Sequence, residues 1–252
     1  MLRLKCPEPQ DCAQDADFFL STLNIPLSTA AVLTLVPTPI GNLGDITLRA
    51  LEVLKDADLI ACEDTRHSLN LLRHFGIQKP LVSYHEHNEA QRTAEFIGQL
   101  SAGKKIAVIT DAGMPGISDP GHRILRACRE RGIPFTVLPG ASAVVTAVVG
   151  SGFDASKFYY AGFVPVKSGG RERDLRAAGE RSETTVFFES PHRIVKTLAA
   201  AATLMPARPL CVARELTKTF EEYRRGTAAE LLAHYTAHPP KGEIVLLVAA
   251  LD

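Results

Sequence analysis

From residue 32 onward, short apolar runs alternate with stretches in which apolar residues recur every three or four positions. The runs at 33–36, 59–62, 81–84, 106–110 and 135–138 are bounded by Pro, Gly or Asp and show no polar alternation, the pattern of strands buried on both faces. Between them the spacings Leu48-Leu51-Val53-Leu54, Leu69-Leu72-Phe75, Phe96-Ile97-Leu100 and Ile124-Leu125-Cys128 predict helices. Gly76, Gly103 and Gly132 stand where the last three of these would close in a left-handed residue. Such strand and helix alternation predicts right-handed crossovers and a parallel sheet.

After the apolar helix at 143–149, the stretch 150–154 carries two glycines and reads as a hinge. A second unit follows, with strands expected at 158–163, 185–188, 210–213 and 243–248 and helices near 171–180, 192–204 and 227–237. The expected division is therefore a first α/β domain at 32–150 and a second at 151–252, with a cleft between them. Residues 1–31, broken by Pro7, Pro9 and Pro26, read as a separate segment that is poorly ordered or loosely docked.

Composition narrows the classes. The 252 residues carry 28 Lys and Arg against 28 Asp and Glu, so any affinity for nucleic acid must come from local patches rather than bulk charge. The five cysteines have no metal spacing and are odd in number, which predicts reduced thiols, with Cys62 and Cys211 inside buried strands. No apolar stretch approaches a membrane span and no signal peptide is legible, so a soluble cytoplasmic protein without a membrane partner is expected.

In doubly wound folds ligands sit beyond the carboxyl ends of the strands, so the loops there carry the chemical information. The loop at 111–121 packs three glycines and two prolines into eleven residues, fixing a backbone that a ligand can approach closely, and Asp111 can accept hydrogen bonds from it. Its bland reading is a turn with Asp119 as N-cap and Pro120 opening a helix. Ser142 is either a simple N-cap or a ligand contact at a helix start. The acids of 63–66 suit a helix N-terminus as well as a site. His85 and His87 lack a third metal ligand at sensible spacing, so no metal is expected. Glu189 and Arg193 lie at a strand end of the second unit, beside a Ser-Pro helix start that does not explain them; Arg214, Glu215 and Lys218 follow another strand, where a solvated charge run is the competing reading. Lys167, Arg171, Arg173 and Arg176 form a basic patch suited to phosphate contact or to a plain solvated helix face.

Eight runs in order resemble one family: Pro-Thr-Pro-Ile-Gly-Asn-Leu-Gly-Asp-Ile-Thr at 37–47, Glu-Asp-Thr-Arg at 63–66, Tyr-His-Glu-His-Asn-Glu at 84–89, Asp-Ala-Gly-Met-Pro-Gly-Ile-Ser-Asp-Pro-Gly at 111–121, Pro-Gly-Ala-Ser-Ala at 139–143, Phe-Glu-Ser-Pro-His-Arg at 188–193, Ala-Arg-Glu-Leu-Thr-Lys at 213–218 and Lys-Gly-Glu-Ile-Val at 241–245. They resemble the branch of tetrapyrrole methylases that methylates the 2′-hydroxyl of a cytidine in bacterial small-subunit ribosomal RNA. The resemblance implies an α/β architecture with an N-terminal parallel doubly wound sheet, a C-terminal mixed sheet and S-adenosylmethionine in the cleft between them. It implies a homodimer whose partner is small-subunit ribosomal RNA, with no DNA.

Carried over by position, it implies cofactor contacts from Pro37, Asp111, Ala112, Gly113, Met114, Pro115, Ile117, Ser142, Phe188, Ala213 and Glu243. For catalysis, Glu189 or Glu215 would accept the hydroxyl proton or its hydrogen bond, while Arg193, Arg214 and Lys218 would hold phosphates and steady developing charge. Met114 departs from the Thr common in that motif, leaving polar contact there to backbone. The chain also ends after its last strand, where this branch usually continues into a helical tail. Two alternatives stay open: a methyltransferase acting on a tetrapyrrole or another small molecule, and a ribosome-assembly binding protein without catalysis.

Overall fold

The computed structural model describes residues 32–251, so the segment set apart at 1–31 lies outside the described residues. The first sheet is built from β1 (Leu33–Leu35), β2 (Leu59–Cys62), β3 (Leu81–Ser83), β4 (Ile106–Val108) and β5 (Phe135–Val137), with α1 (Leu48–Asp56), α2 (Thr65–His74), α3 (Glu89–Ser101) and α4 (His122–Arg131) between them. Its strand order is β3-β2-β4-β1-β5 and every pairing is parallel. Successive strand residues feed opposite faces: Leu33, Leu35, Ala61 and Val108 pack with Phe96 and Ile124 of α3 and α4, whereas Val36, Ile60, Cys62 and Ala107 pack with Leu54 and Leu72 of α1 and α2. That is the doubly wound arrangement the alternation predicted.

Burial on both faces holds for β1, β2 and β4 only. β3 is half-buried and β5 leaves Phe135 and Val137 exposed, because both strands lie at sheet edges. Gly76, Gly103 and Gly132 close their helices with φ of 66°, 84° and 66°, as expected. The start of α4 differs from expectation. It opens at His122 behind Gly121, not at Pro120, so Asp119 is not its N-cap. The Gly116 N–H bonds the Pro120 carbonyl at 3.1 Å and closes the loop early, and Gly121 turns into the helix at φ 138°, where a Cβ would press on Gly116 and Leu35. Glu89 supports this turn, accepting hydrogen bonds from Tyr84 Oη and from Gly121 N–H.

After α5 (Ala143–Ser151), the second sheet is formed by β6 (Phe158–Phe163), β7 (Thr184–Glu189), β8 (Pro209–Arg214), β9 (Glu222–Thr227) and β10 (Ile244–Val248), in the order β6-β7-β10-β8-β9. β6 and β7 are parallel and the other pairs antiparallel, so the sheet is mixed. One face is covered by α6 (Ser168–Glu180), α7 (Ile194–Leu204) and α8 (Ala228–Ala237) around Phe187, Val212 and Leu246. The opposite face, with Val186, Cys211, Ala213, Val245 and Leu247, receives α5 through Val144, Ala147 and Val148, and Ile40 from the loop after β1.

α5 therefore belongs by packing to the second sheet although it follows directly from the last strand of the first. The hinge expected at 150–154 is clamped. The Arg225 guanidinium donates to the Gly150 and Ser151 carbonyls, Tyr223 lies against Gly150, and Ser151 is fully buried with its Oγ bonded to the Val148 carbonyl. Cys62, Cys128 and Cys211 are buried and free. No helix among the described residues is long and apolar enough to cross a membrane.

Candidate functional site

The loops after β1, β4 and β5 are packed backbone against backbone. Thr38 and Gly113 exchange N–H···O bonds at 3.0 Å, and Thr38 Oγ1 donates to the Thr110 carbonyl. Gly113 has φ 83°, and a Cβ there would crowd Ile40. Pro37 lies so close to Gly140 that any side chain at 140 would overlap its ring. From the loop after β2, the Asp64 N–H donates to Asp111 Oδ1 at 3.1 Å, while the Asp64 carboxylate caps α2. Asp111 is thus partly a structural tie between loops. The loop at 111–121 is then pinned to the second sheet by Ser118, held at φ 59°, whose Oγ shares a 2.6 Å hydrogen bond with Tyr160 Oη.

A cavity of about 440 Å³ lies between this loop and the strand tips of the second sheet. Asp111, Ala112, Ser118 and Asp119 form one wall; Phe163, Phe188, Glu189, Ser190 and Glu243 form the facing one. Phe188 stands in a tilted aromatic group, with ring centroids 5.3 Å from both Tyr160 and Phe163. Ile40, Leu216 and Val245 supply apolar surface. The volume is within the range of about 300–1,000 Å³ typical of small-molecule sites.

Its electrostatics are one-sided. Glu63, Asp111 and Asp119 all line the cavity, and none of the ion pairs among the described residues reaches them. Burial, followed by the Asp111 charge, raises Glu63 above the usual carboxylate range. Burial, followed by the charges of Glu63 and Asp111, pushes Asp119 up to about 7. Three carboxyl groups without an ion-pair partner, with the nearby His85 offsetting Glu63 only in part, favour a positively charged ligand, which would relieve their mutual repulsion.

The charged residues of the second unit are organised differently. Glu189 has a fully buried side chain: Oε1 accepts from Ser190 N–H and from Arg193 at 2.7 Å, and Oε2 from Thr197 Oγ1 at 2.5 Å. Arg193 also donates to the Val164 carbonyl. Arg214 is paired with Glu222 at 3.1 Å and donates to the Lys241 carbonyl. Glu215, at φ 52°, accepts from Lys218 Nζ at 2.9 Å and from Glu243 N–H at 3.0 Å, and Lys218 reaches Glu243 as well. Burial works against the Glu215 charge, yet these donors hold its carboxyl below the usual range.

Of the sequence-nominated residues, Asp111, Ala112, Phe188, Glu189 and Glu243 line the main cavity. Met114 and Ser142 line a shallower neighbour, where Ser142 sits at the N-cap of α5 without making the capping bond. Pro37, Gly113 and Pro115 stand behind the wall, Ala213 is buried in β8 against Val245, and Ile117 is 42% exposed. Sequence reading missed Asp119 as a cavity group, left Glu63 between a helix N-terminus and a site, and missed Tyr160 and Phe163 as partners of Phe188. The aromatic cluster at 158–163 was the one signal available for the last two.

The model of the tetrapyrrole (corrin/porphyrin) methylases matches residues 32–232. A Synechocystis protein named ribosomal RNA small subunit methyltransferase I is 46% identical over 219 residues, covering 86% of this chain and 78% of the relative. A protein of the same name from Thermotoga maritima is 43% identical over 220 residues, covering 87% of this chain and 99% of the relative. Among solved structures, a diphthine synthase superposes with a TM-score of 0.70 at 18% identity, covering 86% of this chain and 89% of the other. A uroporphyrin-III-C-methyltransferase from Thermus thermophilus gives 0.60 at 23%, covering 86% and 94%. With two thirds of its length or more aligned to each of these, and the expected parallel and mixed sheets flanking a cleft, the chain belongs to the tetrapyrrole methylases.

Proposed function

We propose that this protein transfers a methyl group from S-adenosylmethionine to the 2′-hydroxyl of a cytidine in small-subunit ribosomal RNA. Ribosomal RNA methylation is supported by the names of relatives at 43–47% identity across most of the chain. The observation that carries the donor site is the cavity between the 111–119 loop and the second-sheet tips, whose three unpaired carboxyl groups fit a ligand carrying sulfonium and ammonium charges. S-Adenosylmethionine supplies an electrophilic methyl group on positively charged sulfur. In this reading Asp111 and Glu243 take its polar groups, Phe188 packs against its apolar surface, and the backbone at 112–115 closes over it. Ser142 and Met114 border the outer edge, with Pro37, Ile117 and Ala213 shaping the surroundings.

The chain's task in methyl transfer is alignment, since an in-line displacement needs the acceptor oxygen held opposite the leaving sulfur. Glu189, tied by Arg193 and Thr197, keeps the facing wall in place. In this reading Glu215 takes the hydroxyl proton and the Lys218 ammonium steadies the oxygen, both joined to Glu243 at the cavity edge. Arg214 and Arg193 extend the cationic surface toward RNA phosphates. The protein works in the cytoplasm as a pair of identical chains, for which Val145 and Val149, exposed by 52% and 68% on α5, offer apolar surface. Incubation with labelled methyl donor and unmodified small subunits, followed by nuclease digestion, should place the label on one cytidine ribose; label on a base would overturn the oxygen assignment.

A further inference from the structure

Beside the donor cavity lies a second chamber, of about 630 Å³, which shares Ile40, Asp111, Ala112 and Glu243 with it. One wall is a face of α2. Ser68 and Leu72 turn that helix into the core, while His67, Asn70, Leu71 and His74, spaced as i, i+3, i+4 and i+7, line the chamber. Three of its four members are polar and exposed, as on any helix face turned from the core, but here that face borders a chamber. The side chains of His67 and Asn70 have no hydrogen-bond or ion-pair partner among the described residues. Leu71 and Leu43, the latter 40% exposed, give the chamber apolar surface, and Lys218 from the loop between β8 and β9 lies directly on Gly41 to form its roof.

A planar heteroaromatic ring asks for this combination: apolar surface for its faces, and a donor with an acceptor for its edge. The Asn70 amide carries both. Sequence-specific proteins mostly grip RNA at unstacked bases, and an acceptor ribose that enters a cleft brings such a base with it, which needs a chamber of its own. Sharing of walls sets the order of parts, because a base in the side chamber leaves its ribose at the common opening, next to the donor cavity.

We propose that this side chamber receives the base of the acceptor nucleotide, with Asn70 reading its hydrogen-bonding edge and His67 and His74 completing the polar wall. The inference rests on the reading that RNA is the acceptor and names the residues that select within it. It is tested with small subunits carrying either cytosine or uracil at the nucleotide that the wild-type protein labels. Asn70→Ala should lower kcat/KM on cytosine by roughly ten- to a hundredfold, mainly through KM, as expected for a lost base contact. It should also flatten the preference for cytosine over uracil. His67→Ala, a second exposed position, should raise KM without touching base preference as strongly. Calorimetry with S-adenosylmethionine should give wild-type affinity for both variants. Wild-type KM and base preference in both variants, with the wild-type protein labelling subunits normally, would overturn the inference while leaving the function intact. Absence of label with the wild-type protein would sink the functional reading, and this chamber's role with it.

Discussion

Replacing Asp119 by Asn should make the empty protein more stable and the donor-binding protein worse, with a pH dependence that identifies the cause. An ordinary aspartate titrates near 3.8, whereas burial beside Glu63 and Asp111 holds Asp119 to about 7. A carboxyl raised in the fold retains its proton between those values while the unfolded chain has lost it, so stability falls as pH rises from about 4 to 7 and stays low above. Taken at face value, that rise costs about 4 kcal/mol at pH 8. Water at the cavity mouth screens the effect to about 1–2 kcal/mol. Asn carries no charge at any pH, so the variant should melt roughly 3–6 °C above wild type at pH 8. Near pH 3 Asp119 is protonated in the folded and the unfolded chain alike, and the two proteins should melt within about 1 °C of each other. Scanning calorimetry without ligand at the two pH values reads this directly, and titration calorimetry at pH 8 should show weaker binding of S-adenosylmethionine to the variant. An equal melting difference at both pH values, or a variant less stable at pH 8, would refute the account of an unpaired acid held ready for a cation.

Glu189→Gln should cost about 2–3 kcal/mol in urea unfolding, because the partly buried Arg193 guanidinium loses its charge partner; a change under 0.5 kcal/mol would mean that water already neutralises the pair. Gly242→Ala should be destabilising by about 1–3 kcal/mol and should reduce methyl transfer more than donor affinity, since Gly242 has φ 81° and its new Cβ would displace the Glu215 carboxylate; unchanged turnover would argue against a role for Glu215 at the reacting hydroxyl. Binding to small subunits should weaken by at least tenfold between about 50 and 200 mM salt, with a shallower slope when Arg173 and Arg176 on the exposed face of α6 are replaced by Ala; a flat salt response would favour a small neutral acceptor.

The elements legible in the sequence were those whose own residues carry the pattern. Central strands such as 59–62 and 106–108 are uniformly apolar because both of their faces are covered, and helix ends were marked by glycines whose left-handed backbone the structure requires. β9 went unread: its run Glu222-Tyr223-Arg224-Arg225-Gly226-Thr227 is polar, as an edge strand can afford to be, and only pairing with β8 makes it a strand. The strand-end loops located the site, yet the carboxyl group with the largest shift there was read as a helix cap. Its burial is created by three loops arriving from distant parts of the chain, and no local spacing encodes that. The polar stripe of α2 was hidden for the same reason, since a helix written Thr-Arg-His-Ser-Leu-Asn-Leu-Leu-Arg-His looks like any solvated surface helix until the loop between β8 and β9 places a roof over it.

The continuity of α5 with the fifth-strand loop has a mechanical consequence. The helix starts at Ala143, directly after the loop that follows β5, and ends beneath Arg225 and Tyr223 with Val144, Ala147 and Val148 sunk into the second sheet. A clamshell motion that parted the two sheets would carry this helix with the second and would have to pull Ile40 out of apolar contact and break the bond between Ser118 and Tyr160. Traffic of substrate and product must then be served by movements of loops at the rim, and the slowest step of turnover should respond to the stiffness of the segments at 41–45 and 215–221 rather than to any swing of whole domains.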